Sequence, residues 1–274
     1  MANEIPIQNL YYLLCYAWDQ LAEGEEVDIA ADDCKSLTEL FARILVNGTQ
    51  HLLRRGLDQN YLSRCEETPR IRGRFAISES LSRLSWQRGT MVCEFDELSH
   101  NILANRILKT TLSQLLHAEG IDAETHERLH QQTAILREIE PVQLTSRHFH
   151  RIPLHRNNRH YRFLLNVCEL LYQSRLPEQR DGTTRFRDFV RDPKRMPYLF
   201  EQFVKNFYVR EQAIFTKVRS NQIRWHATGS KADLAVLPTM RTDVTLKSPD
   251  RSIILDCKFY REAMSGRFAI LTVL

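Results

Sequence analysis

Ser252-Ile253-Ile254-Leu255-Asp256-Cys257-Lys258 decides the fold. Four residues led by β-formers run straight into an acid, a thiol and a base. Upstream lies Thr239-Met240-Arg241-Thr242-Asp243-Val244-Thr245-Leu246, and between the two sits Lys247-Ser248-Pro249-Asp250-Arg251. Apolar β-formers flanking a Ser-Pro-Asp cluster read as strand, turn, strand. A turn centred between Pro249 and Asp250 sets Asp243 opposite Asp256. Directly opposed residues share a sheet face with Cβ atoms roughly 5 Å apart. Alternation along the strand then points Lys258 to the same face as Asp256.

Two carboxylates and an ammonium on one patch suit phosphodiester hydrolysis. Mg²⁺ bound by one or two carboxylates keeps open positions for water and substrate oxygens. Asp243 and Asp256 are the candidate metal ligands. Lys258 is placed to orient water or to stabilise developing negative charge. Neighbouring carboxylates repel one another, which a cation relieves. An Asp-x-Lys triplet recurs by chance, and charges beside a hairpin are usually a solvated face. Two features raise this one: the preceding run is apolar on both faces, and a second acid stands at the matching register.

The pattern resembles the PD-(D/E)xK nuclease motif, and in particular the McrC family, the nuclease subunits of McrBC-type methylcytosine restriction systems. The likeness runs through Leu237 to Leu246 and through Ile254-Leu255-Asp256-Cys257-Lys258-Phe259-Tyr260. It also covers Ile5 to Trp18, Arg54-Arg55-Gly56-Leu57, Arg72-Gly73-Arg74, and Phe95-Asp96 through Leu103-Ala104-Asn105-Arg106-Ile107-Leu108-Lys109. The resemblance implies a partner, the AAA+ GTPase McrB, which reads methylated double-stranded DNA and forms a ring. It implies that a chain of this kind docks on the ring, stimulates GTP hydrolysis and cuts the DNA with Mg²⁺. It also implies an acidic contribution from the helix before the first nuclease strand. Glu201 is that candidate, and Asp233, in an expected strand Ala232 to Leu237, is a substitute. The chain has no G-x-x-x-x-G-K-[ST] segment, so nucleotide chemistry is assigned to the partner. The family continues beyond the lysine with a helix bearing a Gln-x-x-x-Tyr-like motif. The end here, Arg267 to Leu274, does not read like it, and the expectation is a C-terminally truncated core. A non-cutting adaptor that binds and regulates the ring is the alternative.

Composition agrees with a soluble globular protein. The 274 residues are 43% hydrophobic and 26% charged, with a net charge of +4. The absence of a long apolar run and of a signal-peptide layout sets the expectation of a cytoplasmic chain off the membrane. Six scattered cysteines without a C-x-x-C pair read as free thiols. Arg147 to Arg162, RHFHRIPLHRNNRHYR, has the density of Arg and His of a phosphate-tracking segment, or of a solvated loop between domains. Its histidines lack neighbouring Cys or carboxylate partners and are not read as metal ligands.

Periodicity supplies the rest. Leu10, Leu13, Leu14, Ala17, Trp18 and Leu21 predict a helix, and Glu23 to Asp33 a loop. Ser36-x-x-Glu39 opens a helix that Gly56 can close. Cys65 to Val92 reads as strands and turns. Asp96 to Ala118, Asp122 to Glu138, Tyr161 to Gln173 and Tyr198 to Gln212 read as helices, with a polar loop from Pro177 to Thr184. The fold class is α+β: residues 1–150 form a mixed N-terminal domain for docking on the GTPase, and residues 151–274 an incomplete PD-(D/E)xK core.

Overall fold

The computed structural model describes residues 5–22, 34–153, 158–175, 186, 190, 192–223, 225–230, 233–234 and 236–259. In chain order these give α1 (Ile7–Ala17), α2 (Leu37–Arg55), β1 (Asn60–Thr68), β2 (Arg74–Phe75), α3 (Ile77–Ser82), β3 (Met91–Ser99), α4 (Leu103–Leu115) and α5 (Ala123–Ile135). There follow α6 (Ser146–His150), α7 (Arg159–Ser174), α8 (Arg195–Glu211), β4 (Lys217–Arg219), β5 (Gln222–Ile223), β6 (Met240–Arg241), β7 (Val244–Lys247) and β8 (Ser252–Leu255). Helix and sheet are both present, as an α+β chain requires. The expected loops Glu23 to Asp33 and Pro177 to Thr184 lie outside the described residues.

The main core is helical. Leu14, Leu40, Ile44, Leu45, Ile107, Leu112, Leu129 and Phe163 are at most 1% exposed and pack together from α1, α2, α4, α5 and α7. This core runs across residue 150 and takes in Met196 and Leu199 at the start of α8. Helix α2 starts as its sequence reads. Ser36 Oγ accepts from Glu39 N at 3.1 Å. The return bond goes one residue further back than in a full capping box: Lys35 N donates to Glu39 Oε2 at 2.9 Å. Gly56 closes the helix at φ 88°, a conformation open to glycine at no steric cost.

A β-ribbon projects from this core. Strands β1 and β3 pair antiparallel from Asn60↔Ser99 to Thr68↔Met91, and β2 joins the other edge of β3. Gly73 turns the chain at φ 63°, where a Cβ would overlap the Glu94 carbonyl oxygen. The ribbon is tied down at its root by one buried amide. Asn105 Nδ2 donates to Asp58 O (3.0 Å) and to His100 O (2.7 Å), the residues that lead into β1 and out of β3. Tyr161 Oη donates to Asn105 Oδ1 at 2.7 Å and accepts from Asp58 N at 3.0 Å. Helices α4 and α7 thus hold both strands of the ribbon at its root.

Three expectations need correction. The helix expected from Asp96 starts only at Leu103, because Asp96 to Ser99 complete β3, where Asp96 takes a hydrogen bond from Ser63 across the ladder at 2.6 Å. The stretch Cys65 to Val92 contains α3 and a 3₁₀ turn, Ser85–Arg88, as well as strands. No strand spans Ala232 to Leu237 among its described residues. Asp233 caps a helical turn instead, with Ser230 Oγ donating to its Oδ2 at 2.7 Å and Leu234 N donating to Ser230 O.

A second, smaller core lies under the sheet β4-β7-β8. Val204, Val244, Leu246 and Cys257 are buried there, with Phe200, Phe203, Val218 and Ile253 packed against them. Helix α8 serves both cores. It is also strapped to α1: Tyr16 Oη donates to Glu211 Oε1 at 2.7 Å, and Asn206 Nδ2 donates to Tyr16 O at 2.8 Å.

Candidate active site at the β7–β8 hairpin

Strands β7 and β8 pair as Val244↔Leu255, Thr245↔Ile254, Leu246↔Ile253 and Lys247↔Ser252. The loop Ser248-Pro249-Asp250-Arg251 joins them, closed by Ser248 N donating to Arg251 O at 2.9 Å. One step beyond the last ladder pair, this register sets Asp243 against Asp256. Cys257 N donates to Asp243 Oδ2 at 2.6 Å, so the two chains stay fastened past the end of the sheet. Lys258 Nζ donates to Asp256 Oδ1 at 2.6 Å. The Asp256 and Lys258 side chains are 70% and 55% exposed. They open to solvent, while Cys257 between them turns into the small core.

Helix α8 brings Glu201 to the same place. Its carboxyl is raised above the ordinary glutamate range, first by partial burial and then by the negative charge of Asp243; Arg241, Lys205 and Lys258 oppose the rise. The Cys257 thiol is pushed up to about 11 by burial, with Asp243, Glu201 and Asp256 adding to it. Three carboxylates therefore share one negative neighbourhood. The substitute acid, Asp233, is exposed and held by Ser230.

Second-row contacts fix Asp243 from behind. Ser220 Oγ donates to Asp243 O at 2.7 Å. Thr242 N donates to Asn221 O, and Asn221 N donates to Thr242 Oγ1, each at 2.9 Å. Nothing in the sequence flags Ser220 or Asn221. Arg241 and Lys205 were also not singled out by spacing, since one lies two residues before an aspartate and the other on a different element. A cavity of about 780 Å³ with a mixed lining lies elsewhere, at the root of the ribbon, with Asp58, Arg64, Arg106, Ile102, Leu103 and Ile152 among its walls.

Among the described residues, no three His, Cys, Asp or Glu side chains converge to cage a metal. The hairpin offers two carboxylates, each with one oxygen, Asp243 Oδ1 and Asp256 Oδ2, outside the hydrogen bonds given above. An oxygen-only set of that size fits Mg²⁺, which keeps several waters and is commonly held by one or two carboxylates. Two histidines of residues 147–162 have these contacts: His148 Nδ1 accepts from Thr145 N to cap α6, and the His160 ring lies 5.7 Å from that of His51. Residues 154–157 of that segment lie outside the described residues.

Residues 3–266 match the profile of the McrBC 5-methylcytosine restriction system component family. The chain belongs to that family. A McrBC relative, the type IV methyl-directed restriction enzyme EcoKMcrBC of Escherichia coli (strain K12), is 33% identical over 264 residues, covering 96% of this chain and 76% of the relative. The fold of this McrBC component is shared with two solved structures. One is a half-complex from a tetradecameric assembly of Thermococcus gammatolerans McrB AAA+ hexamers with bound McrC; the TM-score is 0.58 at 19% identity over 92% of this chain. The other is the cryo-EM structure of the Thermococcus gammatolerans McrBC complex, with a TM-score of 0.53 at 23% identity over 76% of this chain. The chain spans 55% and 59% of the lengths of those solved chains. None of its described helices is long and apolar enough to cross a membrane.

Proposed function

We propose that this chain is the DNA-cleaving subunit of a GTP-dependent, methylcytosine-directed restriction system, built on a PD-(D/E)xK core. The observation that carries the reading is the β7–β8 register, which brings Asp243 to Asp256 with Lys258 alongside. Asp243 and Asp256 would hold Mg²⁺. When bound, the ion supplies an acidified water and neutralises charge on the scissile phosphate. Lys258 sets an ammonium at the solvent edge, where negative charge develops on the phosphate oxygens. Glu201 adds a carboxyl whose raised proton affinity suits it to take a proton from the attacking water. Ser220, Asn221 and Thr242 keep the Asp243 backbone in register.

The same proposal includes a McrB-like AAA+ GTPase ring as partner, with methylated double-stranded DNA as substrate. Both solved neighbours are assemblies of McrB with McrC, and the E. coli relative is a methyl-directed restriction enzyme. The ribbon supports docking through residues 1–150. Beyond its root it displays Ile71 (70% exposed), Ile77, Leu81, Leu84 and Trp86 (58% exposed) to solvent. Exposed apolar patches of this kind mark protein interfaces.

A second reading is an adaptor that binds and regulates the ring without cutting. It is favoured by the two-carboxylate count and by the engagement of one oxygen of each aspartate with Cys257 N and Lys258. One experiment separates the two. The chain is mixed with a McrB-like GTPase, GTP, Mg²⁺ and methylated duplex. Cleavage that disappears in Asp256→Ala supports the nuclease. Stimulated GTP hydrolysis without nicks supports the adaptor and sinks the nuclease.

A further inference from the structure

The sheet β4-β7-β8 has two unlike faces. Val218, Leu246 and Ile253 pair across it and point into the small core beneath α8. The residues between them lie on the other face, where Thr245 is 6% exposed and hydrogen-bonded to the Thr242 hydroxyl at 2.8 Å. Lys217 stands directly opposite Lys247, with Ser252 next in that row, and Arg219 stands opposite Thr245, with Ile254 beyond. Lys217, Arg219 and Lys247 are exposed. Among the described residues none of the three makes an ion pair. Like charges directly opposed on neighbouring strands repel and destabilise the ladder. An ordinary solvated sheet face intersperses both signs; this one carries three cations and no carboxylate in its first two rows.

Past the end of the ladder lies the acidic row, Asp243 and Asp256. Alternation puts positions 245 and 247 of one chain, and 252, 254 and 256 of the other, on this side; Asp243 sits at a bend just ahead of β7. The exposure of Ile254 (59%) and of the Asp256 side chain (70%) agrees with that. Rows on one face are two residues apart, or roughly 7 Å, so the Lys217–Lys247 row lies about 14 Å from the acidic row. That is about four base steps along a nucleic-acid duplex at roughly 3.4 Å each.

We propose that this outward face, centred on Lys217, Arg219 and Lys247, is the track on which the phosphodiester backbone of DNA lies as it enters the acidic cluster. Cations spaced along an extended strand match a polyanion of regular charge spacing, and the backbone would relieve the Lys217–Lys247 repulsion. The track leads to a cutting site only if the nuclease reading holds; the binding itself does not depend on it.

The test is duplex binding by the full chain alone, in EDTA, with a fluorescent 30-base-pair DNA and a salt titration. In the variant Lys217→Gln/Lys247→Gln, affinity at low salt should fall by about tenfold or more. The slope of log Kd against log salt should drop by about two counterions. Arg137→Gln, in the 3₁₀ turn Leu136–Glu138 that follows α5, serves as a control that leaves both unchanged. Unaltered affinity and slope in the double variant would overturn the proposal, as would wild-type chain that does not bind duplex. Unaltered DNA binding with weakened stimulation of the GTPase would assign the face to an acidic protein and also overturn it. Because no metal is present, loss of binding in the lysine variant stands even if cleavage is never seen. Cleavage with lysine-independent binding would leave the nuclease reading intact and remove the track.

Discussion

Cys257 N donates to Asp243 Oδ2 across the open end of the β7–β8 hairpin, 2.6 Å from donor to acceptor. One carboxylate oxygen is thereby spent on architecture and the other is left for chemistry. Asp243→Asn keeps a carbonyl oxygen for that bond and removes the charge; Asp243→Ala removes both. The asparagine variant should melt within about 1 kcal/mol of wild type. Its DNA cleavage, assayed with the GTPase partner, should fall by on the order of 100-fold or more. Retained cleavage in Asp243→Asn would remove this carboxylate from the reaction.

Glu201 gives a pH signature. Its folded-state pKa is raised, by burial first and Asp243 second, so ionising it costs the folded state more than the unfolded one. Its contribution is fully present below about pH 4.5, the ordinary glutamate value, and is lost as pH rises through the raised value. Glu201→Gln should therefore gain stability relative to wild type between pH 4 and pH 7. Urea midpoints at the two pH values measure this. A constant difference between variant and wild type would remove Glu201 from the acidic neighbourhood.

Asp122 behaves in the opposite sense. Burial works against its charge, but hydrogen bonds from Thr125 and the nearby Arg43 outweigh it and hold the carboxyl at about 2. It caps α5 by accepting from Thr125 N at 2.9 Å. Asp122→Ala should cost about 1 kcal/mol at neutral pH. That cost should shrink as pH falls from about 4 towards 2, because the wild-type cap is then protonated. Thermal melts over that range would show no convergence if the cap were not ionised.

Asn105 is 1% exposed and makes three bonds at the ribbon root. Asn105→Ala leaves two carbonyls and the Tyr161 hydroxyl short of partners, at about 1–3 kcal/mol. The loosening should be local. Hydrogen exchange in β1 and β3 should rise well above that in α2. Uniform change across the chain would argue against a clasp.

Lys217→Glu turns a repulsive cross-strand pair with Lys247 into an attractive one. It should raise stability by about 0.5 kcal/mol while weakening duplex binding. A stability gain without a binding loss would make the repulsion a mere surface accident.

Much of this was legible in the sequence. The stripes of α1, α2 and α7 mark one buried face each, and periodicity reports that directly; in α8 the same stripe includes Phe207, which is 40% exposed. Turn symmetry around Pro249 and Asp250 gives the hairpin register, because a four-residue loop leaves little freedom in pairing. Helix α4 was misplaced at its start because Asp96 to Ser99 carry polar and apolar residues compatible with either period, and their ladder with β1 decides. Asp233 was misread because a single Ser230 side chain can turn an apolar run into a helical cap. The approach of Glu201 to Asp243 could not be read, since it depends on how α8 lies across the sheet. That angle is set by Phe200 and Phe203 from one side and by the Tyr16 and Asn206 straps from the other.

Helix α8 lends its first half to the large helical interior and its second half to the sheet. The two interiors therefore have no seam along which they can part. Urea should take the chain through one cooperative transition, and a proteolytic cut within α8 would leave neither fragment able to keep its shape.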